Sequence, residues 1–206
     1  MPAVLPRLRS LALVALVVPV VAFGQAWPTK PVRLVSPFPA GGGTDAFARP
    51  LAAQLSQQLG QQFIIDNRGG AGGTIGADNV AKSPPDGYHF LVGAVHHTIA
   101  VSVYSKLPYD LERDLVPVTM VAMVPNVIVL HPKVPIGSVK ELIDYAKANP
   151  NKLNYASAGN GTSHHLAPEM FKLMTSVQIN HVPYKGAGPA MQDLVAGQVD
   201  LMFDGM

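Results

Sequence analysis

The chain has 206 residues, 48% hydrophobic and 14% charged, a balance that excludes a disordered polyelectrolyte and suits one ordinary domain or two small ones. Its 15 basic and 13 acidic residues give a formal charge of +2. Lys and Arg stand singly, with no cluster able to neutralise several phosphates, which excludes electrostatic docking on nucleic acid or a membrane surface. There is no cysteine, so disulfides, thiolate metal sites and a thiol nucleophile are excluded too.

At the start of the chain, Arg7 and Arg9 precede an apolar run from Leu11 to Val21, and "FGQA" follows with Gly24 and Ala26 at small-residue positions. This is the pattern of a secretory signal peptide, residues 1–26, cleaved after Ala26. The run contains Pro19 and is well short of the roughly 20 residues a membrane span needs. Without Arg7 and Arg9, 13 basic residues balance 13 acidic ones.

From Trp27 onward one pattern repeats: a β-branched strand, a glycine-rich turn, a helical stretch. Val32 to Val35 leads through "SPFPAGGGTD", Ser36 to Asp45, into a helix whose Phe47, Leu51, Leu55 and Leu59 form the expected core stripe. Phe63 to Asp66 leads into "NRGGAGGTIGADNVAK" and Tyr88 to Val92 into "GAVHHTIA". "VPVTMVAMVPNVIVLHP", broken by Pro125, reads as a strand crossing between two lobes. "SVKE", Ser138 to Glu141, reads as a capping box opening a helix from Val139 to Ala148, with Val139, Leu142, Ile143 and Ala146 as its buried face. Leu153 to Ser157 leads into "AGNGTSHHLAPEMF", and Gln178 to Val182 into "PYKGAGPAMQDLVAG". The alternation predicts a parallel α/β sheet with helices on its faces. Pro50 and Pro168 fall inside helical patterns, where a proline is expected to kink the helix.

In open parallel sheets the ligand site lies beyond the carboxyl ends of the strands. The loops there are glycine-rich: Gly41 to Gly43, Gly69 to Gly73, Gly159 to Gly161, and Gly186 with Gly188. Glycine lets backbone N–H groups turn inward, and a helix N-terminus adds partial positive charge, so the combination favours an anion. No stretch satisfies GxxxxGK[ST] or GxGxxG, so neither nucleotide fingerprint is present.

Four blocks in order, "WPTKPVRLVSPFPAGGGTD", "QFIIDNRGGAGGTIGADNVAKSPPDGYHFLVG", "LNYASAGNGTSHHLAPEMF" and "HVPYKGAGPAMQDLVAGQVDLMFD", resemble the Bug family of extracytoplasmic solute-binding proteins of tripartite tricarboxylate transport. The resemblance implies a type II periplasmic-binding-protein architecture, two Rossmann-like α/β lobes around a cleft. It implies lobe 1 over 27–120, a partial lobe 2 over 121–206, and a hinge near Val118 to Asn126. The implied role is monomeric and periplasmic: loops hold a small carboxylic acid by backbone N–H groups and waters, and the protein hands it to a membrane permease. No cofactor, metal or nucleic-acid partner is implied. In this chain Gly69 stands where the family has proline, which should loosen that loop, and "HH" at His96 and His97 departs from the family's third loop. The chain also stops at Met206, before the segment that completes lobe 2 and returns to lobe 1, so it reads as C-terminally truncated.

The candidate ligand-binding residues are Pro39, Ala40, Gly41, Gly42, Gly43, Thr44 and Asp45 in the first loop, and Gly159, Asn160, Gly161, Thr162 and Ser163 in the third. Tyr184 and Asp204 join them. Asp45 at a helix start either caps N–H groups or accepts from a ligand; Thr44, Thr162 and Ser163 carry the same ambiguity. Tyr184 is either cleft wall or core, and Asp204 either touches ligand or pins a loop. His164 and His165 are adjacent, so they do not face one metal as an i, i+4 pair would. There is no GxSxG elbow and no HExxH. A hydrolase using Ser157 or Ser163 with His164 or His165, and a sensor module serving a membrane receptor, are the alternatives.

Overall fold

In a computed structural model, the structure describes residues 26–205, and the expected signal peptide, apart from Ala26, lies outside them. Strands β1 (Val32–Ser36), β2 (Phe63–Asn67) and β3 (His89–Leu91) form one sheet in the order β2-β1-β3, all parallel, with Val32 opposite Phe63 and Arg33 opposite His89. Helices α1 (Gly43–Leu59), α2 (Thr74–Ala81) and α3 (His96–Val103) each follow one of these strands.

The second sheet has the order β4-β7-β5-β6, from β4 (Asn126–Leu130), β5 (Asn154–Ser157), β6 (Asn180–Pro183) and β7 (Leu201–Gly205). Helices α4 (Val139–Ala148), α5 (Ser163–Thr175) and α6 (Ala187–Val195) connect them. β5 runs parallel to β6 and β7, but β4 is antiparallel to β7, so the expected wholly parallel pattern holds only in part. An antiparallel edge strand on an otherwise parallel sheet is common in doubly wound folds.

Packing corrects two of the expected stripes. In α1 the residues against the sheet are Ala48 and Ala52, with Leu55 partly buried, while Phe47 and Leu59 are exposed. Steps of four residues advance about 40° beyond a full turn, so a run of i, i+4, i+8, i+12 walks around the helix, and small alanines allow the closer approach to β1. In α4, Leu142 and Ala146 are buried against Leu153, Tyr155 and Leu201, and Ile143 is partly buried, whereas Val139 in the first turn is exposed. Helices α1 and α5 run unbroken through Pro50 and Pro168.

The expected crossing strand is realised only in its second half. Residues 115–125 have no regular structure, and Val116, Val118, Met120 and Met123 are largely exposed before β4 begins at Asn126. An extended apolar run becomes a strand only beside a partner edge, and among the described residues none lies alongside it.

Candidate functional site

The glycine-rich turns from the two sheets meet face to face. A side-chain carbon placed on Gly72 would lie 2.6 Å from Asn160 O and 2.8 Å from Tyr104 Oη, and Gly72 has φ 61°, a left-handed conformation that favours glycine. Tyr104 Oη donates to Asn160 O at 3.3 Å across the same gap. On the other side of the contact, a carbon on Gly42 would lie 3.8 Å from Gly188 N, and one on Gly186 would lie 3.0 Å from Pro39 Cδ. The lobes therefore touch backbone to backbone.

Within this contact lies a cleft of about 260 Å³. Phe38, the turn Gly70 to Gly72 and Tyr104 line one side; Ala158 to Asn160 and Pro183 to Lys185 line the other. A larger hollow of about 740 Å³, which shares Tyr104 with the cleft, lies between α3 and the segment running to Arg113.

Helices α1, α5 and α6 begin at the interlobe contact, and none is capped by a side chain: the cap residues are Gly42 for α1, Thr162 for α5 and Gly186 for α6; α2, which follows Gly72, has no side-chain cap either. First-turn N–H groups have no intrahelical acceptor. Those of Gly43 and Thr44, of Ser163 and His164, and of Ala187 and Gly188 find no acceptor among the described residues. With the helix dipoles behind them, these groups carry partial positive charge beside the interlobe contact without a fixed cation, although none of the six residues lines the 260 Å³ cleft itself.

Not every glycine N–H is free to take part. Gly41 N–H donates to Asp45 Oδ2 at 3.0 Å, Gly159 N–H to Ser157 Oγ at 3.1 Å, and Gly161 N–H to His165 Nδ1 at 3.2 Å. Asp45 is buried and held by Arg49 at 2.6 and 3.1 Å and by Asn67 Nδ2 at 3.0 Å, so its carboxylate organises the loop. Burial raises its pKa, but the bonds from Arg49, Asn67 and Gly41 outweigh this and hold the carboxyl below its usual range.

The remaining expected residues divide between the cleft and its supports. Asn160 lines the cleft and its carbonyl receives Tyr104. Pro39 is half-buried against Gly69 and Gly186, and Ala40 is exposed. A side-chain carbon at Gly69 would lie 2.7 Å from Pro39 Cδ, so glycine there leaves room for Pro39. Thr162 is buried and its Oγ1 donates to Gly159 O at 2.7 Å, which removes it as a cap or a ligand donor. Ser163 is half-buried in the first turn of α5.

Tyr184 lines the cleft with its hydroxyl turned away, donating to Asp193 at 2.7 Å; burial and then that bond push its phenol up to about 12. Asp204 Oδ1 lies 2.8 Å from His164 Nε2, so it pins the start of α5. Phe38, Gly72, Tyr104, Pro183 and Lys185 also line the cleft and are not among the residues expected from the sequence. Gly72 belongs to a glycine run already visible in the sequence, but nothing local marks Tyr104.

The imidazoles do not make the pairs expected for Ser157 from the sequence. Ser157 has no exposed surface, and its partner is His181 rather than His164 or His165. His96 and His97 are buried at the start of α3, and burial pushes them down to about 3 and about 4, His96 being lowered further by His97 and His164. Among the described residues no three His, Asp or Glu side chains gather as a metal site.

The chain resembles proteins of one kind. It is 44% identical over 177 residues to BugT of Bordetella pertussis, covering 85% of this chain and 54% of that protein. A Rhodopseudomonas palustris protein solved with adipate is 44% identical with a TM-score of 0.82, covering 87% of this chain and 60% of that one. MatC from Rhodopseudomonas palustris, solved with bound malate, is 36% identical with a TM-score of 0.81, covering 87% and 61%. The chain thus spans about half the length of the curated relatives it matches. The sequence pattern of the tripartite tricarboxylate transporter family receptor matches residues 47–205, and the chain belongs to that family.

Proposed function

We propose that this protein is an exported, periplasmic solute-binding receptor that captures a small carboxylate between its lobes, 27–120 and 121–206, and delivers it to a membrane permease. The observation that carries this reading is the convergence of three uncapped helix N-termini, of α1, α5 and α6, where the lobes meet. An anion seated there would accept N–H groups that no protein side chain closes, without a dedicated arginine. The reading is supported by the family and by the adipate and malate held by structurally similar proteins. Closure about a hinge near Val118 to Asn126 would follow only if the ligand binds the closed arrangement better than the open one.

The test is thermal unfolding of the full chain with and without mono-, di- and tricarboxylates, malate and adipate among them. A ligand at a hundred times its Kd adds about 2.7 kcal/mol, a shift of several degrees for a chain of this size. Gly42→Val, which pushes a branched side chain toward Gly188 and Ala187, is expected to abolish that shift while the variant still melts cooperatively. A cooperative wild-type melt that no carboxylate moves would refute the reading; an unchanged shift in Gly42→Val would remove the first loop from the site.

A further inference from the structure

The cleft-facing loop Ala158 to Thr162 is supported by histidines that carboxylate binding does not itself require. Three rings stack beneath it. Tyr155 lies on His181 with centroids 4.8 Å apart and 16° between planes, and His181 lies on His165 at 4.3 Å and 19°. His181 Nε2 is 2.6 Å from Ser157 Oγ, the same oxygen that accepts Gly159 N–H. Ser157 is fully buried, and its hydroxyl meets no other acceptor among the described residues. The hydroxyl therefore donates to Nε2, and that nitrogen carries no proton. His165 Nδ1 accepts Gly161 N–H, so it carries none either. Between these two anchors, Gly159 O accepts both the N–H and the hydroxyl of Thr162, at 3.3 and 2.7 Å.

We propose that His181 and His165 are positioning residues of the binding loop: as neutral, stacked acceptors they turn the Gly159 and Gly161 N–H groups inward and leave those of Ser163 and His164 to face the ligand. The ligand's part in this rests on the carboxylate reading above, whereas the loop's dependence on the two imidazoles does not.

The arrangement is sensitive to protons. A proton on His181 Nε2 would turn that nitrogen into a donor and leave the buried Ser157 hydroxyl hydrogen without an acceptor, which weakens the Oγ anchor that holds Gly159 N–H. The groups facing His181 are Tyr155 on β5 and His165, Glu169 and Lys172 on α5; Tyr155 donates to Glu169 at 2.6 Å, and Lys172 pairs with the same carboxylate at 2.8 Å. Burial first, then His165, pushes the His181 imidazole down to about 4, with Glu169 opposing and Lys172 assisting. An imidazole freed from the stack titrates near its ordinary value of about 6.5. The held loop is thus fully favoured above that pH and progressively lost as pH falls toward 4.

Amide hydrogen exchange of the full chain, read by NMR at Gly159 and Gly161, tests this without any ligand. His181→Phe keeps a ring in the stack and removes the acceptor of the Ser157 hydroxyl; it is expected to speed Gly159 exchange about fivefold or more, leaving α4 amides unchanged. His165→Phe should do the same at Gly161. In the wild type, the protection of Gly159, corrected for the intrinsic rate, should fall from pH 6.5 to pH 4. Unchanged Gly159 protection in folded variants overturns the proposal. If the variants do not fold, a flat wild-type profile over that range overturns it alone. In parallel titrations with malate and adipate, His181→Phe is expected to weaken affinity about tenfold. If the wild type binds neither acid, the carboxylate reading fails, and the exchange data still decide the loop.

Discussion

At the N-terminus of α4, Ser138 Oγ accepts Glu141 N–H at 3.2 Å and Glu141 returns to accept Gly137 N–H at 2.7 Å, whereas no side chain closes the first turn of α1, α5 or α6. The difference is not a shortage of capping residues. Thr162 occupies the cap position of α5, yet its hydroxyl turns back to Gly159 O. Helix α4, away from the interlobe contact, closes its first turn with side chains, while α1, α5 and α6, which start at the contact, do not; α2 and α3 have no side-chain cap either. Open N–H groups lower stability in the absence of a partner. Their grouping at one place in the fold suits the binding of a small anion.

Keeping the lobes from meeting should have the largest effect. Gly72→Val places a branched side chain where Asn160 O and Tyr104 Oη already lie, at a left-handed backbone position. It is expected to eliminate the roughly 2.7 kcal/mol of stabilisation that a saturating carboxylate supplies. Thermal melts with malate and adipate measure this, and a full ligand shift in the variant would mean that lobe contact at Gly72 is not needed.

Charge offers the next largest effect, through α3, which begins with buried His96 and His97 and also has no side-chain cap. A proton there meets both burial and the positive end of a helix. The folded pKa of His97, about 4, lies below the ordinary 6.5, so the unfolded chain takes up protons first as pH falls. Stability is therefore complete above about pH 6.5 and is lost downward to about pH 4, with His97 alone contributing about 2 kcal/mol of that loss by pH 5. A melting temperature that stays level between pH 7 and pH 5 would contradict the buried, neutral assignment.

The smallest effect sharpens the control arm. Ser138→Ala removes the α4 cap and is expected to cost about 1 kcal/mol, or roughly 2–4 °C, with any carboxylate-induced shift unchanged. Loss of that shift would mean that α4 is coupled to the cleft after all.

Much of the fold could be read locally, because strand, glycine turn, helix and cap are each specified by residues within a few positions of one another. Val32 to Val35, Phe63 to Asp66 and the box at Ser138 lie where the pattern placed them, give or take a residue. The four blocks of family resemblance were equally visible. Tertiary structure decided which face of α1 is buried, that the run before Asn126 stays without a strand partner, and that Asp45 is taken by Arg49 and Asn67, the latter 22 residues away. It also decided which glycine N–H groups point inward, through Ser157 and His181, 24 residues apart, and it brought His164 to Asp204 across 40. A run of glycines permits a backbone to approach a ligand; whether each N–H reaches it depends on which distant acceptor packing has already set beside it, and no local periodicity encodes that.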